Sequence, residues 1–165
     1  MLFRSAFAAM GRIASNYIVQ DGVIPRTALP EVMTEIAKMS RETGLRVANV
    51  FHAGDGNLHP LVLYDRKIPG QEKQAERLAE RILELCIEKG GSITGEHGVG
   101  EEKKHMMPKM FAEPDLETMQ RVRCAFDPLH LSNPTKVFPR PRMCGDTPGV
   151  YEPHPLESAG KAERF

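Results

Sequence analysis

The stretch LRVANVFHAGDGNLHPLVLYD, residues 45–65, decides how the chain is read. On either side of its centre, "LRVANVF" and "LHPLVLY" have the apolar and β-branched content of strands. The "GDGN" between them supplies residues tolerant of positive φ, so the segment reads as a β-hairpin. The unusual feature is chemical: His52 and His59 stand seven positions apart around the turn. In a hairpin whose turn falls between them, two such residues can stand opposite each other on adjacent strands, with Cβ atoms about 4.5–5.5 Å apart. That separation suits one metal ion held by two imidazole nitrogens at about 2.0–2.1 Å. Gly54, Asp55, Gly56 and Asn57 read as plain turn chemistry.

Working outward toward the N-terminus, "NYIVQDGVI" (16–24) reads as a strand. "LPEVMTEIAKMSRETG" places Val32, Ile36 and Met39 at helical spacing, with Pro30 near the first turn and Gly44 as a left-handed cap. Residues 3–14 suit a short helix. Toward the C-terminus, Ala75, Leu78, Ile82, Leu85 and Cys86 fall on one face of a helix over 71–89 that Gly90-Gly91 ends. "SITG" (92–95) is a short strand candidate, "EHGVGEEKKHMMPKMF" a Gly-rich loop entering a helix that Pro108 interrupts, and "PDLETMQRVRCAF" a last helix. The order strand, helix, strand, strand, helix, strand predicts an α+β fold: a ferredoxin-like antiparallel sheet with helices on one face, followed by C-terminal helices. Residues 1–139 are expected to form the domain and 140–165 a Pro-rich tail.

Lysine plus arginine (22) equals aspartate plus glutamate (22) in the 165 residues, so no global field favours nucleic acid or acidic membranes. The hairpin strand "RVANVFHA" lacks the paired aromatics that nucleic-acid-binding sheets use for stacking. No apolar run approaches the ~20 residues of a membrane span. The opening "MLFRSAFAAMGRIAS" is read as a helix that expects a neighbour rather than as a targeting peptide. Cys86, Cys124 and Cys144 are far apart and show no CxxC spacing, so they read as reduced thiols in a protein of the cytoplasm.

A second constellation lies in GGSITGEHGVG, residues 90–100. Gly95, Gly98 and Gly100 surround Glu96 and His97, which lets backbone approach a ligand closely. The spacing matches neither the dinucleotide nor the P-loop pattern. Glu96 would complete a His, His, Glu set, a three-ligand arrangement that keeps positions open for substrate or water. His97 is then available as acid or base, imidazole being the side chain that ordinarily titrates near neutrality. The competing reading is a Gly-rich turn whose His and Glu meet only water.

"HAGDGNLHP", "GGSITGEHGVG", "QDGVIPRTALPEV" and "FDPLHLSNP" followed by "KVFP" together resemble the C-terminal part of FAD-linked oxidases of the vanillyl-alcohol oxidase type, the group of glycolate oxidase D subunits and D-lactate dehydrogenases. The resemblance implies oxidation of a D-2-hydroxy acid to the 2-oxo acid, with hydride passing to FAD. It implies a divalent metal, zinc by type, on His52, His59 and Glu96, with His97 taking the hydroxyl proton. It places Asn133 of "SNPTK" near the flavin and leaves Lys136 to solvent. Leu61 stands where the hydroxyglutarate branch has a substrate-binding asparagine, which favours glycolate or lactate. Most flavin contacts are expected from an FAD-binding segment or partner chain outside this sequence, with exposed apolar surface on the helix at 3–14 and on the tail. The alternatives are a non-catalytic ferredoxin-like module that binds metal or a small ligand, and an inactive gene fragment.

Overall fold

The computed structural model describes residues 9–139 and residue 144. The chain divides into two compact units, Met1–Gly98 and Val99–Phe165. In the first, the order is β1 (Asn16–Val19), β2 (Gly22–Val23), α1 (Leu29–Thr43), β3 (Val47–His52), β4 (Asn57–Tyr64) and α2 (Gln71–Glu88). All pairing is antiparallel: β4 is central, with β1 and β2 along one edge and β3 along the other. The fold is α+β, as the order of elements predicts. Of the helix expected over 3–14, the described part is a helical Ala9–Met10 followed by a turn.

Local chemistry accounts for the elements. Pro30 sits in the first turn of α1 and Gly44 ends it at φ 70°. Val32 and Ile36 of α1 and Ala75, Leu78, Ala79 and Ile82 of α2 pack with Leu58 and Val62 of β4 in one buried cluster. Because side chains alternate along a strand, Leu58, Val62 and Tyr64 belong to that helix-facing side, while Asn57, His59, Leu61 and Leu63 belong to the other. Every residue of β4 is buried.

The strand expected over 16–24 is interrupted, and Pro60 explains where. The register of both halves against β4 is continuous, from Val19 opposite Leu61 to Gly22 opposite Leu58, which sets Gln20 opposite Pro60 and Asp21 opposite His59. Proline has no N–H to return to the edge strand, so only the bond from Gln20 N–H to Pro60 C=O (3.1 Å) bridges the gap. The expected "SITG" strand shrinks to a single bridge between Ser92 and Val23. Ser92 turns inward on its own loop, its hydroxyl donating to Thr94 C=O (2.9 Å) and accepting from Thr94 N–H (3.3 Å), in competition with ladder pairing. The hairpin forms as predicted, its turn closed by Asp55 and Gly56 N–H groups on His52 C=O. Gly56 is obligatory there: at φ 74°, a Cβ would lie 2.1 Å from Ile24 O.

The second unit contains a 3-10 turn (Lys104–Met106), α3 (Met107–Met110) and α4 (Glu113–Phe126). Pro108 lies in the first turn of α3, so it begins that helix instead of interrupting a longer one. Beyond α4, Asp127 accepts the N–H groups of Leu131 (2.8 Å) and Ser132 (2.9 Å), and the Arg123 guanidinium donates to the carbonyls of Ser132, Asn133 (3.0 Å) and Lys136 (3.4 Å). Phe126, Leu129 and Leu131 are exposed at 87%, 75% and 77%. The apolar surface expected on residues 3–14 and on the tail falls mostly outside the described residues. Cys124 and Cys144 form a disulfide, which corrects the reading of three reduced thiols; Cys86, buried in α2, takes no part in it. A separation of 20 residues with no CxxC motif carries no local signal of that pairing.

Candidate metal centre and active site

His52 ends β3, His59 lies within β4, and Glu96 and His97 belong to the loop after the Ser92 bridge. The two histidines are not directly opposite each other, because His52 pairs with Asn57 and His59 with Val50. They are diagonal neighbours on one face, two positions apart in register, with ring centroids 5.5 Å apart and nearly perpendicular. His59 is 3% exposed, whereas the side chains of His52 and Glu96 are 42% and 51% exposed. One wall of the cluster is therefore fixed and the other opens outward.

Glu96 Oε1 is the meeting point. It lies 3.3 Å from His52 Nε2 and 3.4 Å from His59 Nε2, and donor atoms of the three residues all fall within 4.8 Å of one another. Ligands at about 2.0–2.2 Å from a tetrahedral ion stand about 3.3–3.6 Å from each other, so the two histidine-to-glutamate spacings match two edges of a zinc-type tetrahedron. The donor set, two imidazoles and one carboxylate, is also one that zinc-class ions accept. His97 is exposed beside this cluster and stacks on the His59 ring, centroids 5.3 Å apart.

Two residues that the turn and strand readings passed over hold this arrangement. Asn57, 5% exposed, donates from Nδ2 to Glu96 Oε1 at 2.7 Å, so it is a site residue and not simply part of the turn. Asp21, fully buried opposite His59, gathers the loop: its Oδ2 accepts the Thr94 hydroxyl (2.8 Å) and the N–H groups of Gly95 (2.9 Å), Glu96 (2.9 Å) and His97 (2.8 Å). Its other oxygen faces His59 Nδ1 across 4.0 Å. Burial pushes the Asp21 carboxyl up, but the hydrogen bonds from His97, Glu96, Gly95 and Thr94 outweigh it and hold the group far below the usual carboxylate range. The Thr94 hydroxyl in turn accepts Gly98 N–H at 2.8 Å. Gly95 lets the loop close on the sheet: a Cβ there would meet Val23 Cγ2 at 2.7 Å and Asn57 Oδ1 at 2.8 Å. Its small size thus serves packing against the protein itself.

The signal for Asp21 lay in register. A strand pairing with "NLHPLVLY" breaks at the proline, and a two-residue gap then places the aspartate of "QDG" against His59. Asn133, expected near a flavin, belongs to the second unit, exposed and left-handed at φ 45°. Lys136 does not stand alone in solvent but pairs with Glu101 at 2.9 Å.

Fold and site together define an α+β domain carrying a preassembled three-donor cluster with an adjacent imidazole. The chain belongs to the family of the C-terminal domain of FAD linked oxidases, which it matches over residues 2–137. It is 48% identical over 162 residues to the glycolate oxidase subunit GlcD of Escherichia coli (strain K12), covering 98% of this chain and 32% of that protein. It is 34% identical to the GlcD of Bacillus subtilis (strain 168), covering 82% of this chain and 29% of that protein. It is 32% identical to the mitochondrial D-lactate dehydrogenase [cytochrome] of Arabidopsis thaliana, covering 77% of this chain and 22% of that protein. The chain thus spans between a fifth and a third of the length of these relatives. Among the described residues, no helix is long and apolar enough to cross a membrane.

Proposed function

We propose that this chain supplies the metal- and substrate-binding side of an FAD-linked oxidoreductase that converts glycolate or D-lactate to its 2-oxo acid. The observation that carries the reading is the convergence of His52, His59 and Glu96 within 4.8 Å beside an exposed imidazole. The named activities of the relatives from E. coli, B. subtilis and A. thaliana support the substrate class. The E. coli relative, of which this chain covers 32%, is named a subunit, and its greater length supports a flavin-binding part on a longer chain or a partner. The family match over residues 2–137 supports residues 1–139 as the domain and 140–165 as a tail.

Bound FAD would supply a two-electron acceptor, and a bound zinc-class ion would make the substrate hydroxyl more acidic. His52, His59 and Glu96 would hold that ion, leaving its outward side to the hydroxy acid. Asp21 and Asn57 fix Glu96 from behind, so the donors need little rearrangement on binding. His97 presents its imidazole next to the same opening, with its backbone pinned by Asp21 and its ring supported by His59, and takes the hydroxyl proton as the hydride leaves. Asn133 is the candidate contact to the flavin.

The test is substrate-dependent dye reduction by this chain combined with a separately produced FAD-binding part of the E. coli relative, with glycolate and D-lactate compared. Activity that falls by about 10²–10⁴-fold in His97→Ala with metal content unchanged supports the assignment. A metal-loaded, flavin-loaded pair with no activity on either acid overturns it in favour of a non-catalytic module.

A further inference from the structure

A second cluster of metal-type donors lies in the other unit. Cys124 stands in the last turn of α4, Cys144 returns to bond with it, and His130 lies on the connection between them. The His130 Nε2 accepts the backbone N–H of Cys144 at 2.8 Å, so a lone pair of the imidazole already points at the Cys144 backbone. Donor atoms of all three residues lie within 4.8 Å of one another, and all three are half-buried. Cys144 Sγ also lies 3.7 Å from the Asp127 carbonyl oxygen.

The connection is strained in a way that sets it apart from an ordinary surface loop. His130, Asn133, Thr135 and Val137 take φ values of 53°, 45°, 69° and 73°, and two of these residues are β-branched. Such conformations persist only where the surroundings over-determine them. Here Asp127, Arg123 and the Cys124–Cys144 bond all restrain the same strap.

We propose that Cys124, His130 and Cys144 form a thiol-gated metal site, closed by the disulfide when oxidised and open to a zinc-class ion when reduced. A dithiol supplies two electrons and two protons: the S–S bond breaks, two S–H groups form, and the dithiol leaves as a disulfide. Zn²⁺ then displaces both thiol protons to form two Zn–S bonds, and the His130 Nε2 lone pair, released from the Cys144 amide, makes the third. Two sulfurs and one imidazole suit a borderline-soft ion and leave a fourth position to water or an outside ligand. Either state ties the strap to the end of α4, so the metal replaces the covalent restraint when the bond is cut. This site is chemically distinct from the His52, His59 and Glu96 cluster, which contains no sulfur.

The experiment uses the full chain, either oxidised or reduced with a dithiol and desalted without air, titrated with Co²⁺ and then with Zn²⁺. The reduced chain is expected to develop a thiolate-to-cobalt charge-transfer band that saturates by two equivalents, the histidine-glutamate cluster taking the other, and is bleached by zinc, while the oxidised chain develops none. Cys124→Ser and Cys144→Ser should each abolish or shift the band, and His130→Ala should weaken binding about tenfold or more. Alkylation followed by mass measurement gives a second readout: zinc should protect Cys124 and Cys144 in the reduced chain. The proposal is overturned by a reduced chain that shows no band, whether folded or unfolded, or by a band that survives both cysteine substitutions, which would assign it to Cys86. Because oxygen and nitrogen ligands give no such band, failure here leaves the histidine-glutamate reading untouched.

Discussion

Asp21 and Asp127 use the same device at different depths. Each carboxylate collects backbone N–H groups from a loop that has no regular structure of its own. Asp21 is fully buried and takes four donors on one oxygen; Asp127 takes one donor on each oxygen, with the Arg123 guanidinium 3.8 Å away. Both titrate below the usual carboxylate range. At Asp21 hydrogen bonds overcome burial, whereas at Asp127 the N–H groups of Ser132 and Leu131 are the leading cause. The two loops differ in how far each depends on one group. The strap around Asp127 is also held by Arg123 and a disulfide, but the loop bearing Glu96 and His97 hangs largely on Asp21.

The largest effect expected from that contrast is Asp21→Ala. It strands three N–H groups and a hydroxyl, each costing about 1–3 kcal/mol if left without water, so chemical denaturation should show a loss of about 4 kcal/mol together with lost metal. A loss below about 1 kcal/mol would mean that the loop does not depend on Asp21. The same group sets a pH dependence. Because its folded pKa is depressed, its contribution is fully present above the unfolded aspartate value of about 4 and is lost as pH falls through the much lower folded value. Replacing Asp21 by Asn should therefore flatten the acid limb of a stability-against-pH curve; an unchanged limb would mean that other carboxylates set it.

Gly95→Ala sharpens the picture by pushing the loop off Asn57 and Val23, at a cost of about 2 kcal/mol in unfolding free energy. Asn57→Ala should leave the fold largely intact but weaken zinc binding about 10–100-fold by equilibrium titration, since Glu96 loses its 2.7 Å support. The smallest change is expected from Asp127→Asn. Its unfolding midpoint should stay close to wild type, with faster proteolysis confined to residues 127–138.

Much of this organisation was legible from residue type and spacing. Gly44 and Pro30 bracket α1, the apolar face of α2 is written at helical spacing, and the hairpin follows from "GDGN" between two apolar runs. His52, His59 and Glu96 were singled out by their spacing and by the family resemblance, and the structure brings their donor atoms within 4.8 Å of one another. What escaped depended on contacts distant in sequence. Asp21 is 73 to 76 residues from the groups it binds, and Asn57 is 39 residues from Glu96. Neither bond has a local pattern. The failed "SITG" strand and the helix that Pro108 begins are cases where side-chain hydrogen bonding and proline position outweighed apolar content. The disulfide joins two thiols whose spacing in sequence gave no reason to pair them.

The most direct test of the central claim is elemental analysis of the purified chain, wild type beside His52→Ala, His59→Ala and Glu96→Ala, after loading with zinc and removal of excess under oxidising conditions. Close to one zinc per wild-type chain is expected, and far less in each variant, with the fold retained. A wild type that holds no metal, or variants that hold as much as wild type, would contradict it.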